Sequence, residues 1–160
     1  MLIKKPGAMK QFGAVPSAVL FLTFVDGAQM FGMKIKTKTG LDAVLHLAGG
    51  EPKIVDEDHF ANRDVLVLEE PEFQFPAVAY GKNGNPENKA YGALILSVEG
   101  VFLRASHRQG PFDVDLESGL AQQSRNHLGS IWFDSWDVLA RSAAGPELLF
   151  GYHKKPKVKG

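Results

Sequence analysis

The chain contains no cysteine. That absence removes disulfides, zinc–thiolate sites, iron–sulfur clusters and thiol nucleophiles together. It also fits a reducing compartment. Net charge is missing as well, because 18 Lys and Arg balance 18 Asp and Glu. Long apolar runs are absent. The longest, Val15 to Val25, is interrupted by Pro16, Ser17 and Thr23 and stopped by Asp26, which is too short for a bilayer span. Lys4, Lys5 and Lys10 ahead of it imitate a secretion signal, but Pro6, Gly7 and Gly13 break the segment and no small-residue cleavage site follows. The chain therefore reads as cytoplasmic and without a membrane partner.

Catalytic and cofactor signatures are also lacking. The sequence has no Walker A loop, GxGxxG, HExxH, GxSxG or EF-hand pattern. Ser106, His107 and Ser135 have no triad-like spacing, although a triad need not be local in sequence. No cofactor is implied, and the reading leans away from an enzyme.

What is present is an ordinary globular composition, 44% hydrophobic and 22% charged over 160 residues. That suffices for one self-supporting core. We expect a single β-rich domain over residues 1–153, followed by a basic tail over 154–160. Charge is distributed in blocks: residues 1–53 carry +4, 54–80 carry −6, 81–111 carry +2, 112–153 carry −4 and the tail +4. Local fields of this kind steer partners more than the total does.

The apolar patterning points to strands. Ala93 to Ser106 holds two runs rich in branched and aromatic residues around Glu99-Gly100, a hairpin signature. Leu20–Val25, Asp26-Gly27 and Met30–Lys36 repeat the pattern. No internal repeat beyond these two hairpins is visible. Met33 to Lys38 alternates, so Lys34, Lys36 and Lys38 should share one strand face. Leu41–Leu47, Asp64–Leu68, Phe112–Glu117, Ser130–Phe133 and Glu147–Tyr152 read as further strands, with Phe73–Tyr80 an edge strand because of Pro76. About eight strands are expected.

Helical signals are fewer. The best begins at Asp134, with Asp137 three residues later, a Phe133–Val138 staple and a Gly145-Pro146 stop. Ser118–His127 is a second candidate, and Asp56–Asn62 could form one or two turns. The fold expectation is mainly β, a barrel or sandwich of antiparallel hairpins with two or three short helices.

Three chemistries follow from these patterns. Cations repeated at strand spacing suit a phosphate backbone, and aromatic side chains add stacking for unpaired bases. Lys34, Lys36 and Lys38 form such a stripe. Tyr80 and Tyr91 flank the Gly81–Ala90 loop holding Lys82 and Lys89, and Lys154, Lys155 and Lys157 extend the set into the tail. The leading expectation is thus a non-enzymatic module that binds single-stranded or non-specific nucleic acid. Against it, an alternating Lys strand is often only a solvated face or edge protection. The second is protein interaction or homo-oligomeric assembly through edge strands. The third is a divalent-metal-dependent hydrolase, with Asp113, Asp115 and Glu117 on one strand face and His107 and His127 bracketing them. No recognised ligand spacing accompanies that set, and alternate carboxylates on a strand usually face water.

Overall fold

Asp26 and Gly27 make a two-residue turn with both backbones at positive φ, 50° and 79°. This is the turn whose twist matches that of paired strands. It joins Val25 to Ala28 in register and begins an almost entirely β architecture. The computed structural model describes residues 7–56, 60–75, 91–125, 127, 129–142 and 144–153.

Fourteen strands lie among these residues. The first seven are β1 (Gly7–Gln11), β2 (Leu20–Val25), β3 (Ala28–Thr37), β4 (Asp42–His46), β5 (Lys53–Asp56), β6 (Asp64–Leu68) and β7 (Glu72–Gln74). The rest are β8 (Leu94–Ser97), β9 (Gly100–His107), β10 (Gly110–Asp115), β11 (Leu120–Gln123), β12 (Ile131–Phe133), β13 (Ser135–Ser142) and β14 (Gly145–His153). Both hairpins read from the sequence form, as β2–β3 and β8–β9. The second turn is centred on Val98-Glu99, one residue earlier than expected, because Ser97 pairs with Gly100.

Six strands close into a barrel in the order β3-β11-β10-β9-β5-β4 and back to β3. It consists of two antiparallel three-strand meanders, β3–β5 and β9–β11, joined by parallel pairings. Lys53, first in β5, pairs with Ser106, while Leu120, first in β11, pairs with Lys36. The meanders are thus related by an approximate two-fold in which Lys34 and Arg104 are equivalent, each two residues before the paired position. Short meanders need only tight turns, and the parallel seams come free of any local sequence mark.

Alternation along the barrel strands sorts the core. Met33, Ile35, Ala43, Leu45, Leu103, Ala105, Phe112, Val114 and Ala121 pack into one cluster. Their neighbours of opposite parity face outward. Part of the outer wall is covered by β1, the 3-10 turn Phe12–Ala14, β2 and β6, whose Phe12, Val15, Phe21 and Val65 pack with Met30, Val44 and Phe60. On the opposite meander, Ala93, Ile95, Phe102 and Trp132 form a smaller cluster.

The expected helices do not form. Ser135–Ser142 and Gly145–His153 instead form the β13–β14 hairpin, which with β7 makes a three-stranded sheet. The cause is period two: Trp136 and Val138 are buried, and their neighbours Asp137 and Leu139 are not. Asp134 and Gly145-Pro146 are short-range signals that serve a hairpin as well as a helix, and Gly145 turns at φ 113°. Asp137 meets His153 across the hairpin at 2.9 Å rather than capping anything. Residues 120–123 within the second candidate are β11, and Asp115 Oδ1 accepts the N–H groups of Glu117 and Ser118 in the turn before it. Of the third candidate, residues 57–59 lie outside the described set, and Phe60–Asn62 form a turn.

The small sheet is tied to the barrel by Trp136, whose Nε1 donates to the Gly92 carbonyl at 2.9 Å. Phe133, Trp136 and Val138 share the barrel's core cluster. Of the edge strand expected over Phe73–Tyr80, residues 76–80 lie outside the described set; β7 pairs only with β13 among the described residues. No helix is long and apolar enough to cross a membrane among the described residues.

Candidate functional site

One end of the barrel carries the turn after β3, the start of β4, the end of β5 and the β9–β10 turn. The two meanders each send a hairpin to this end because their equivalent strands run the same way across the parallel seams. Between the hairpins lies a cleft of about 410 Å³. Thr37 and Thr39 line it from one hairpin, His107, Arg108 and Gln109 from the other, and Asp42 and Asp56 from β4 and β5.

Hydrogen bonding fixes much of this wall. The Thr37 and Thr39 hydroxyls lie 2.9 Å apart, and Thr37 Oγ1 accepts the Leu41 N–H. His107 Nδ1 accepts the Gln109 N–H, and its ring packs on Phe112 at 4.6 Å between centroids. That orientation leaves Nε2 to carry the proton of a neutral ring. Arg108 reaches Asp56 at 3.6 Å, with both side chains well exposed. Asp42 places Oδ2 3.6 Å from Lys34 Nζ, while its buried Oδ1 has no hydrogen-bond partner among the described residues. A buried acceptor without a donor is costly.

The structure separates the lysine stripe. Lys36 and Lys38 are exposed and are chain neighbours of the cleft residues Thr37 and Thr39, but neither lines the cleft itself. Lys34, expected on the same open face, is only 4% exposed. It does point outward from the barrel, but the Phe12–Ala14 turn lies over it. Its ammonium donates to the carbonyls of Phe12 and Gly13 at 3.2 and 3.3 Å and sits 4.8 Å from the Phe12 ring centroid. Parity predicts the direction of a side chain and cannot see what covers it. Tyr91 does not line the cleft, and its carbonyl accepts the Tyr152 hydroxyl. Tyr80, Lys82, Lys89, Lys154, Lys155 and Lys157 lie outside the described residues.

The acidic set is also divided. Asp113 is wholly buried on the outer wall of the barrel. It accepts Arg104 through Nε and a terminal nitrogen at 2.8 and 3.1 Å, the Arg125 N–H at 3.2 Å and His127 Nε2 at 2.8 Å. With those donors in place, its lone pairs are committed to protein groups. Arg104 stacks on Trp132 at 4.8 Å. Asp115 holds its turn, Glu117 is exposed, and His107 belongs to the cleft. Among the described residues, no three His, Asp or Glu side chains converge as a metal site. Asp113 and His127 are the pair of that set whose side chains are brought into contact.

Asp42, Arg108 and Gln109 were not singled out by sequence reasoning. Thr39-Gly40 and Gln109-Gly110 both mark turns, but only the parallel seams bring them to one end. Compared with protein-family models, curated proteins and solved structures, the chain matches none.

Proposed function

We propose that this protein is a non-enzymatic binding module that holds a segment of single-stranded nucleic acid at the cleft between the β3–β4 and β9–β10 hairpins. One observation carries this reading: a concave, hydrogen-bonding cleft lined by the exposed cation Arg108, with Lys36 and Lys38 exposed on the hairpin that forms its other wall. Cations at the rim suit phosphates, and acceptors inside suit the amino and imino groups of an unpaired base. Asp42, part-exposed in the cleft wall, supplies a carboxylate acceptor for such a donor. Gln109, Thr37 and His107 offer further groups for a base edge. The carboxylates inside disfavour a phosphate there, which assigns base and backbone to different parts of the site.

The test is fluorescence anisotropy with labelled single-stranded DNA, single-stranded RNA and duplex at 50 and 200 mM salt, concentrations chosen to expose counterion release. Salt-weakened binding that prefers single strands, reduced several-fold by Lys36→Ala or Arg108→Ala, is expected. No binding at the lower salt ends this reading.

A second reading, protein interaction, has its own observation. Leu96 and Ile131 are cross-strand partners on β8 and β12, both exposed, and Val98 projects fully from the adjacent turn. Apolar side chains gathered on a sheet edge favour association. Concentration-dependent sedimentation that Ile131→Lys abolishes would support assembly through this edge.

A further inference from the structure

A second cleft of about 410 Å³ lies on the outer wall, away from the first, between the β2–β3 and β4–β5 hairpins. Its walls are apolar: Val25 and Met30 on one side, Val55 and Phe60 on the other. Three polar groups with charge or proton chemistry reach it, namely Lys53, His46 and Asp26. Lys53 and His46 are register partners on β5 and β4, and His46 in turn pairs with Gly32 on β3. They therefore occupy one transverse row at one end of the cleft. Asp26 sits at the other end, in the β2–β3 turn. Gly32 lies four strand steps from Ala28, about 13 Å at ~3.3 Å per residue. Lys53 and Asp26 thus share a cleft without pairing, and neither has an ion-pair partner among the described residues.

We propose that this cleft binds a monocarboxylic acid with a short apolar body. Lys53 neutralises the carboxylate, and a neutral His46 still has one N–H to donate to it. Burial, assisted by Lys53, holds His46 below its ordinary pKa, so the imidazole offers a hydrogen bond and leaves the charge to Lys53. The apolar body runs between Met30 and Val55 toward the turn. Asp26 at the far lip repels a second carboxylate and so selects monoacids over diacids. The volume falls in the range of small-ligand pockets, about 300–1,000 Å³, whose usual design is apolar walls with a few placed polar groups.

Isothermal titration calorimetry of the full chain tests this, with octanoate and 3-phenylpropanoate as probes, and 1-octanol and suberate as controls. We expect at least one monoacid to bind at millimolar or better affinity, with suberate and octanol each at least about 10-fold weaker, a difference of about 1.4 kcal/mol. Lys53→Gln, an exposed substitution that should leave the fold intact, weakens the monoacid by a similar factor. Asp26→Asn keeps a residue that tolerates positive φ and narrows the gap between octanoate and suberate. Octanol binding as tightly as octanoate, unchanged affinity in Lys53→Gln, or no heat with either monoacid at 10 mM would each overturn the proposal. Because nucleic acid is proposed at the other cleft, Lys53→Gln binding oligonucleotide normally while losing the acid separates the two sites.

Discussion

Arg104 and Asp113 face each other across β9 and β10 and form a doubly bonded ion pair on the outer wall of the barrel, sealed from water by the segment that carries Arg125, His127 and Trp132. Lys34, the two-fold equivalent of Arg104, repeats the device with Asp42, two backbone carbonyls and the Phe12 ring. In each half, a covered cation attaches a non-barrel segment to the wall. The Arg125 carbonyl accepts from Arg104 at 3.0 Å, as the Phe12 and Gly13 carbonyls accept from Lys34. These charges hold the cladding in place, which explains why residues that resemble binding chemistry in the sequence are unavailable for it.

Asp113→Ala should therefore destabilise the chain severely. Removing one partner of a buried pair leaves the other charge stranded, at a cost of about 3–5 kcal/mol. Here the Arg125 N–H and His127 lose an acceptor as well. Urea denaturation should show a lower midpoint with little change in slope. The double variant Arg104→Met/Asp113→Leu should recover much of the loss. A single Asp113→Ala within 1 kcal/mol of wild type would mean that the outer wall is not sealed as described.

Gly92→Ala should loosen the small sheet. Gly92 has φ 83°, and a Cβ there would overlap the Tyr152 ring. Tyr152 stacks on Trp136, which donates to the Gly92 carbonyl. Strain at positive φ costs at least about 1 kcal/mol, and the overlap adds to it. The readout is tryptophan emission, which should shift to the red as Trp136 gains water before global unfolding. An unshifted spectrum with unchanged stability would show that the ring moves aside without cost.

Legibility in the sequence followed range. Asp26-Gly27 and Glu99-Gly100 mark hairpins by chemistry confined to a few residues, and both hairpins were readable, the second with its turn placed one residue late. Lys34 and Lys36 were correctly placed on one parity. What covers Lys34 depends on Phe12 and Gly13, some twenty residues away in sequence, and no local pattern announces that contact. The β13–β14 hairpin was misread because Asp134, Asp137 and Gly145-Pro146 imitate caps, while the period-two burial of Trp136 and Val138 outweighs them once β7 and β14 supply ladder partners. The cleft was invisible for a related reason. Its two walls belong to different meanders, and parallel seams of one or two residue pairs leave no periodic trace.

His46 gives stability a defined pH dependence. Burial and the nearby Lys53 lower its pKa from the ordinary 6.5. The unfolded chain then binds more protons than the native one between the lowered value and 6.5, so stability rises with pH across that window. It is fully present above about pH 6.5 and is lost on acidification until the native pKa is passed. The wild-type-minus-His46→Gln difference in urea stability, measured from pH 4.5 to 7.5, should show this slope. A flat difference would mean that His46 titrates alike in both states.

Lys34 supplies the sharpest separation between structural and binding cations. Lys34→Met preserves much of the stem volume but leaves the Phe12 carbonyl with only the Val15 N–H, the part-buried Gly13 carbonyl without the ammonium and Asp42 without its nearest cation. A loss of about 2–4 kcal/mol follows from stranding a largely buried charge and its acceptors. Asp42→Asn should cost less, because the Lys34 ammonium keeps both carbonyls. If oligonucleotide binds as proposed, the folded fraction of Lys34→Met should bind it with an affinity and salt slope close to wild type. Lys36→Ala should do the reverse, with near-normal stability but weaker binding and a salt slope shallower by roughly one phosphate contact. Denaturation and anisotropy on these three variants place each lysine on one side or the other. A Lys34→Met protein that is stable yet fails to bind would put the ammonium in contact with the ligand, and the cover formed by Phe12 and Gly13 would then have to open in solution.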